Sequence, residues 1–129
     1  MSDEVQRTKY VRSFEHPCDD FVLKDDEGNE YHPHAGESVR FRCDFPWELM
    51  RLMNPDDIAG MSGLEYAGRV VRLLQRQIVA WDWTDDNGKR WPGPDDDPEG
   101  FADALWWLGD EERNYLRLHC WDSSRLGEA

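Results

Sequence analysis

Seven side chains in this sequence carry nitrogen or sulfur donors suited to zinc: His16, Cys18, His32, His34, Cys43, His119 and Cys120. A structural zinc site takes four such donors in a tetrahedron, usually drawn as close pairs. His16/Cys18 together with His32/His34 would supply one if the first strand lay beside the turn bearing His32-Pro33-His34. None of these pairs has the gap of about two to four residues usual between paired cysteines. Single histidines in turns and unpaired cysteines in cores are commonplace, so no metal and no cofactor is assigned.

Carboxylates offer a second chemistry. Asp82, Asp85, Asp86, Asp95, Asp96 and Asp97 crowd the stretch from Val79 to Phe101, among Trp81, Trp83 and Trp91. A calcium loop of the EF-hand type opens on aspartate and has glycine sixth and glutamate twelfth. With Gly88 sixth, Trp83 opens the loop and Pro94 closes it; with Gly28 sixth, Leu23 opens it. Both fail. Carboxylates spaced like phosphates would instead imitate nucleic acid, which makes an acidic inhibitor the rival reading; nothing in the sequence sets that spacing. Catalysis has no anchor. No serine sits in a nucleophile elbow, Gly60-Met61-Ser62-Gly63 lacks the lysine of a phosphate loop, and nothing sets two carboxylates in an apolar pocket.

The elements that must hold these groups change character near residue 46. Before it the pattern is β. Tyr10–Phe14 suggests an edge strand, Phe21–Lys24 a short run before the turn at Asp25–Asn29, and Glu30–His32 its return. In Ser38–Cys43, Val39, Phe41 and Cys43 share one face and Arg40 and Arg42 the other. After it the pattern is helical. Trp47–Met53 ends at Asn54-Pro55. Ser62-Gly63-Leu64-Glu65 is a capping box, and Leu64, Ala67, Val71, Leu74 and Ile78 then form an apolar stripe. Arg69, Arg72 and Arg76 lie off that stripe as a basic patch. Asp97-Pro98 starts a third helix that carries Phe101, Leu105 and Leu108 to Gly109. A fourth starts at Asp110-Glu111-Glu112 and carries Tyr115, Leu116, Leu118 and Trp121. The expectation is one α+β domain over residues 1–129, with a small N-terminal antiparallel β-meander (1–45) packed on three to four C-terminal helices (46–122) and a frayed tail (123–129).

The aspartate-and-tryptophan stretch then reads as a bend between helical units. Val79, Trp81 and Trp83 alternate as an extended segment, and Asp86-Asn87-Gly88 supplies a tight turn. Lys89-Arg90-Trp91 returns, and Pro92-Gly93-Pro94 leads to the cap at Asp97. This cassette resembles the small tail assembly chaperones of long-tailed bacteriophages, which show an amphipathic helix, a segment V-x-W-x-[LW]-T-D-x-[DN]-G-x-x-x-P and a leucine-rich helix. Val79, Trp81, Trp83, Thr84, Asp85, Asn87, Gly88 and Pro92 sit on that pattern, and the resemblance spans residues 47–121. It departs from the pattern in its tryptophan load, which keeps a minor virion component as a further alternative. The resemblance implies a non-enzymatic role: binding and solubilising the long helical tape-measure protein and handing it to the major tail protein. Trp91, Trp106, Trp107 and Trp121 are the candidate partner contacts, with Arg69, Arg72 and Arg76 as a second patch. Trp106 and Trp107, adjacent on a helix and about 100° apart, are hard to bury together.

Charge limits the partners. Among 129 residues, 28 acidic against 15 basic give a net charge of -13, which phosphate backbones repel, so nucleic acid is not expected as a partner. No apolar run approaches the roughly 20 residues of a membrane span. Three cysteines without a C-x-x-C pair suit a reducing compartment, so the host cytoplasm is the expected location. The sequence leaves self-association open.

Overall fold

The computed structural model describes residues 12–120. Strand β1 (Ser13–Pro17) runs antiparallel to β2 (Leu23–Lys24)'s distant successor β4 (Ser38–Arg42), with Phe14 opposite Phe41 and His16 opposite Val39. Alternation in β4 behaves as expected: Val39 and Phe41 are buried, while Arg40 and Arg42 keep contact with solvent. The third strand comes from the far side of residue 46. Strand β5 (Ile78–Trp81) pairs antiparallel with β4, with a register shift between Arg40 and Phe41, so the sheet order is β1-β4-β5. The segment between β1 and β4 instead forms a separate ribbon in which β2 pairs with β3 (Glu30–Tyr31). Tyr10 of the expected edge strand, the tail and Trp121 lie outside the described residues.

The helices are α1 (Trp47–Leu52), the single turn α2 (Pro55–Ile58), α3 (Gly63–Gln77), α4 (Pro98–Trp107) and α5 (Asp110–Cys120). The α+β class holds, with a small antiparallel sheet and four helices longer than a single turn. Their starts are chemically explained. Ser62 Oγ accepts from Glu65 N at 3.2 Å, and Asp97 Oδ1 accepts from Gly100 N at 3.0 Å with Pro98 at the first helical position. Removing either cap, by Ser62→Ala or Asp97→Ala, is expected to cost about 1 kcal/mol, read as a lower denaturant midpoint with unchanged slope.

Helix α3 buries Val70, Val71, Leu73, Leu74 and Gln77. Leu64, expected at the start of its apolar stripe, is 75% exposed. Burial along α3 begins only at Val70, so the first turn projects past the elements that cover the rest. Sheet and helices share one core, in which Phe14 and Phe41 meet Leu73, Leu74, Trp81, Trp83, Phe101, Leu105 and Leu116.

Two turns use one device. Asp25 Oδ1 accepts from the amides of Glu27 and Asn29, and Asp85 Oδ1 from those of Asn87 and Lys89, all at 2.9 Å. Each turn closes through a glycine at positive φ, Gly28 at 84° and Gly88 at 78°, where a Cβ would be strained. The second turn folds Trp83 to Trp91 into a hairpin, with Thr84 bridging Arg90 and Trp91 N donating to Trp83 O at 2.9 Å. The bend expected from the sequence is present, and it opens at Asp85.

Candidate functional site

Two connected clusters and an exposed apolar surface hold the chemistry of the described residues. The inner cluster centres on His34, which is buried in the turn before β4. Its Nδ1 lies 2.7 Å from Glu37 Oε1 and its Nε2 lies 2.6 Å from Glu112 Oε2. Its ring lies flat on Trp83, centroids 3.6 Å apart and planes 10° apart. Glu37 also accepts from Thr84, from the amide at 3.1 Å and the hydroxyl at 2.7 Å. One imidazole thus joins the loop before β4, the Trp83 hairpin and the first turn of α5.

Only the doubly protonated ring donates to both carboxylates. Burial works against that cation, yet the hydrogen bonds and charges of Glu112 and Glu37 prevail, and the His34 pKa is raised above its ordinary value. The face of Trp83 adds a cation–π contact.

The outer cluster lies across Phe21, whose ring touches both His34 (5.6 Å) and Tyr115 (4.9 Å). The Tyr115 hydroxyl donates to Asp20 Oδ1 at 2.6 Å, and His16 Nε2 lies 2.8 Å from the same hydroxyl. Since the tyrosine proton goes to Asp20, His16 Nε2 is the donor. His16 also stacks on His119, centroids 4.0 Å apart and planes 25° apart. The Tyr115 hydrogen bond holds the Asp20 carboxyl below its usual value, helped by the two histidines.

Cys18, Cys43 and Cys120 are free thiols. Burial pushes Cys18 up to about 11 and Cys120 up to about 12, so neither supplies a thiolate nucleophile near neutrality. No conventional acceptor meets the buried Trp83 Nε1–H, and the Cys18 sulfur is its polar neighbour.

The zinc set considered from sequence does not assemble. His34 spends both nitrogens on carboxylates, which takes it out of the set. Three of the crowded aspartates are likewise occupied. Asp82 accepts from Ser38 N at 2.7 Å, Asp85 closes its turn, and Asp97 caps α4.

The sequence-chosen contact residues separate into several environments. Trp107 is 78% exposed and Trp106 46% exposed at the end of α4, the latter with its far edge over Gly68 of α3. Trp91 is half-buried against the core. Trp121 lies outside the described residues. Arg69 does not present an open charge: it donates to Leu52 O at 2.9 Å and sits 3.7 Å from Asp57. Arg72 and Arg76 are exposed and line a groove with Pro46, Glu48, Leu49 and Leu52 between α1 and α3. Six exposed apolar residues among the described residues were not singled out as contacts: Val22, Tyr31, Trp47, Met50, Leu64 and Leu118. Trp47 and Met50 carry a sequence signal, since three residues of spacing puts them on one face of α1.

Comparison with family models, with curated proteins and with solved structures finds no match.

Proposed function

We propose that this protein acts by binding, as a tail assembly chaperone of long-tailed bacteriophages or a related tail-morphogenesis protein, and that it works in the host cytoplasm. One observation carries the reading: an acidic protein of net charge -13 leaves two adjacent tryptophans of one helix exposed. Indole surface of that size is normally buried, and where it is left open it serves contact with another molecule. Leu64 on α3, Leu118 on α5 and Trp47 and Met50 on α1 are further exposed apolar side chains. A tape-measure protein, long and helical with apolar stripes, is the kind of partner such side chains would cover, while the acidic remainder keeps the complex soluble.

The buried sulfurs and the carboxylate-locked His34 fit a scaffold better than a reaction centre. The nucleic-acid mimic is the weaker alternative, because Asp82, Asp85 and Asp97 are engaged by backbone amides.

The test is co-expression of the full chain with the tape-measure protein encoded beside it. A soluble complex is expected, and the double variant Trp106→Ala/Trp107→Ala should lose it while keeping its own thermal unfolding transition. An insoluble, unbound tape measure beside the wild-type chain would end the chaperone reading.

A further inference from the structure

The outer histidine cluster resembles a metal site more closely than its hydrogen bonds require. His16, Asp20 and His119 each offer a ligand atom, and these atoms all lie within 4.8 Å of one another. We propose that His16, Asp20 and His119 bind one divalent transition-metal ion of the zinc class, joining the end of β1 to the last turn of α5.

The donor set fits that class. Two imidazoles and one carboxylate are the ligands of zinc sites that keep a position open, whereas calcium and magnesium take oxygen alone. A tetrahedral ion with bonds of about 2.0–2.1 Å holds its donors about 3.3 Å apart, so closing on the metal asks each pair to shift by at most about 1.5 Å. Asp20 is exposed and both histidines are partly so, which leaves the ion a route in and lets the side chains adjust.

The surroundings supply the usual support. Tyr115 donates to Asp20 Oδ1 and receives the His16 Nε2 proton. It thereby orients His16 and Asp20 at once and leaves Asp20 its second oxygen. A hydrogen-bonding partner beside a ligating histidine is what metal sites ordinarily have. His119 stands in the last turn of α5, where the negative end of the helix dipole favours a cation, and the net charge of -13 raises the local cation concentration. Spacing adds a local logic. His16 and Asp20 are four residues apart, as are Tyr115 and His119, so each element brings one ligand together with a second group of the cluster.

This proposal is independent of the chaperone reading and is tested without any partner. Metal-free full-length protein is titrated with Zn²⁺ by calorimetry near neutral pH, and Co²⁺ is used as a spectroscopic substitute. One Zn²⁺ per chain is expected, with a rise in Tm and visible Co²⁺ absorption of a low-symmetry site. Asp20→Asn keeps shape at an exposed position and should lose this stoichiometric binding, as should His119→Ala. Tyr115→Phe should weaken it by about 10–100-fold. His32→Ala and Asp95→Asn/Asp96→Asn should leave it unchanged. Should His119→Ala fail to fold, Co²⁺-induced shifts of the His16 and His119 ring signals in the wild type give the same answer. Absence of a one-per-chain event, or its survival in Asp20→Asn, would overturn the assignment.

Discussion

Replacing Trp83 with alanine is expected to destabilise the fold by about 3–5 kcal/mol, the largest single-site loss available in the described residues. The indole has no exposed surface and packs at the meeting point of elements far apart in the chain. It stacks on His34 at 3.6 Å and on Trp81 at 5.7 Å, with Phe21 at 6.1 Å and Tyr115 at 6.3 Å behind it. Truncation removes its contacts and opens a cavity whose walls belong to a sheet, a hairpin and a helix, which cannot all move inward together. It also strips one face from a buried imidazolium. Against a total of about 5–15 kcal/mol for a domain of this kind, the variant should melt roughly 12–20 °C lower. Trp107→Ala is the internal control, since an exposed residue of the same type should change stability by less than about 0.5 kcal/mol. Equal losses for both tryptophans would show that burial does not distinguish them.

The elements themselves were legible because each carries its signal within a few residues. Ser62 with Glu65 and Asp97 with Pro98 mark helix starts, and both hydroxyl and carboxylate do what their positions suggest. Alternation in β4 told which face is buried. The aspartate-and-tryptophan stretch read as a bend, and two of its carboxylates prove to be a turn closer, Asp85, and a cap, Asp97. Asp25 and Asp85 make the same turn because both are followed three residues later by glycine.

Pairings across long separations were not legible, because no local periodicity encodes them. Val79, Trp81 and Trp83 alternate as an extended segment should, yet only the folded chain shows that Ile78, read as the end of the helix stripe, starts a strand that lies on β4 and completes the sheet begun at Ser13. His34 and Glu112 are 78 residues apart, and His16 and Tyr115 are 99 apart. The apolar stripe of α3 misled at Leu64 for a related reason: periodicity identifies a face, whereas burial depends on how far the neighbours reach along it. Arg69 was chosen as an open charge, but its guanidinium is drawn to a carbonyl and a carboxylate of the α1–α2 corner, which sequence spacing does not reveal.

Stability should fall as pH rises through the neutral range, and His34 is the cause. Its pKa is raised in the folded chain, so the sign follows from linkage. Below the unfolded value of about 6.5 both states hold the proton, and the full stabilisation by Glu112 and Glu37 is present. Between the two pKa values only the folded state keeps the proton, and stability declines with each step in pH. Above the folded pKa the pair contribution is gone. Hydrogen bonds to charged groups set its size at about 1.5–3 kcal/mol, because both carboxylates keep some contact with water and cannot deliver the value of a fully buried pair. Neighbouring Cys18 and Tyr115 do not confuse the window: burial raises both, Cys18 to about 11. The measurement is the urea midpoint from about pH 5.5 to about pH 9, for the wild type and for His34→Gln, which can still reach one glutamate. The wild type should lose stability across that range. The variant should start about 2–3 kcal/mol lower at the acid end and stay nearly flat, so that the two curves converge toward the alkaline end. Parallel curves would mean that another group titrates and that His34 sits between its carboxylates as a neutral ring.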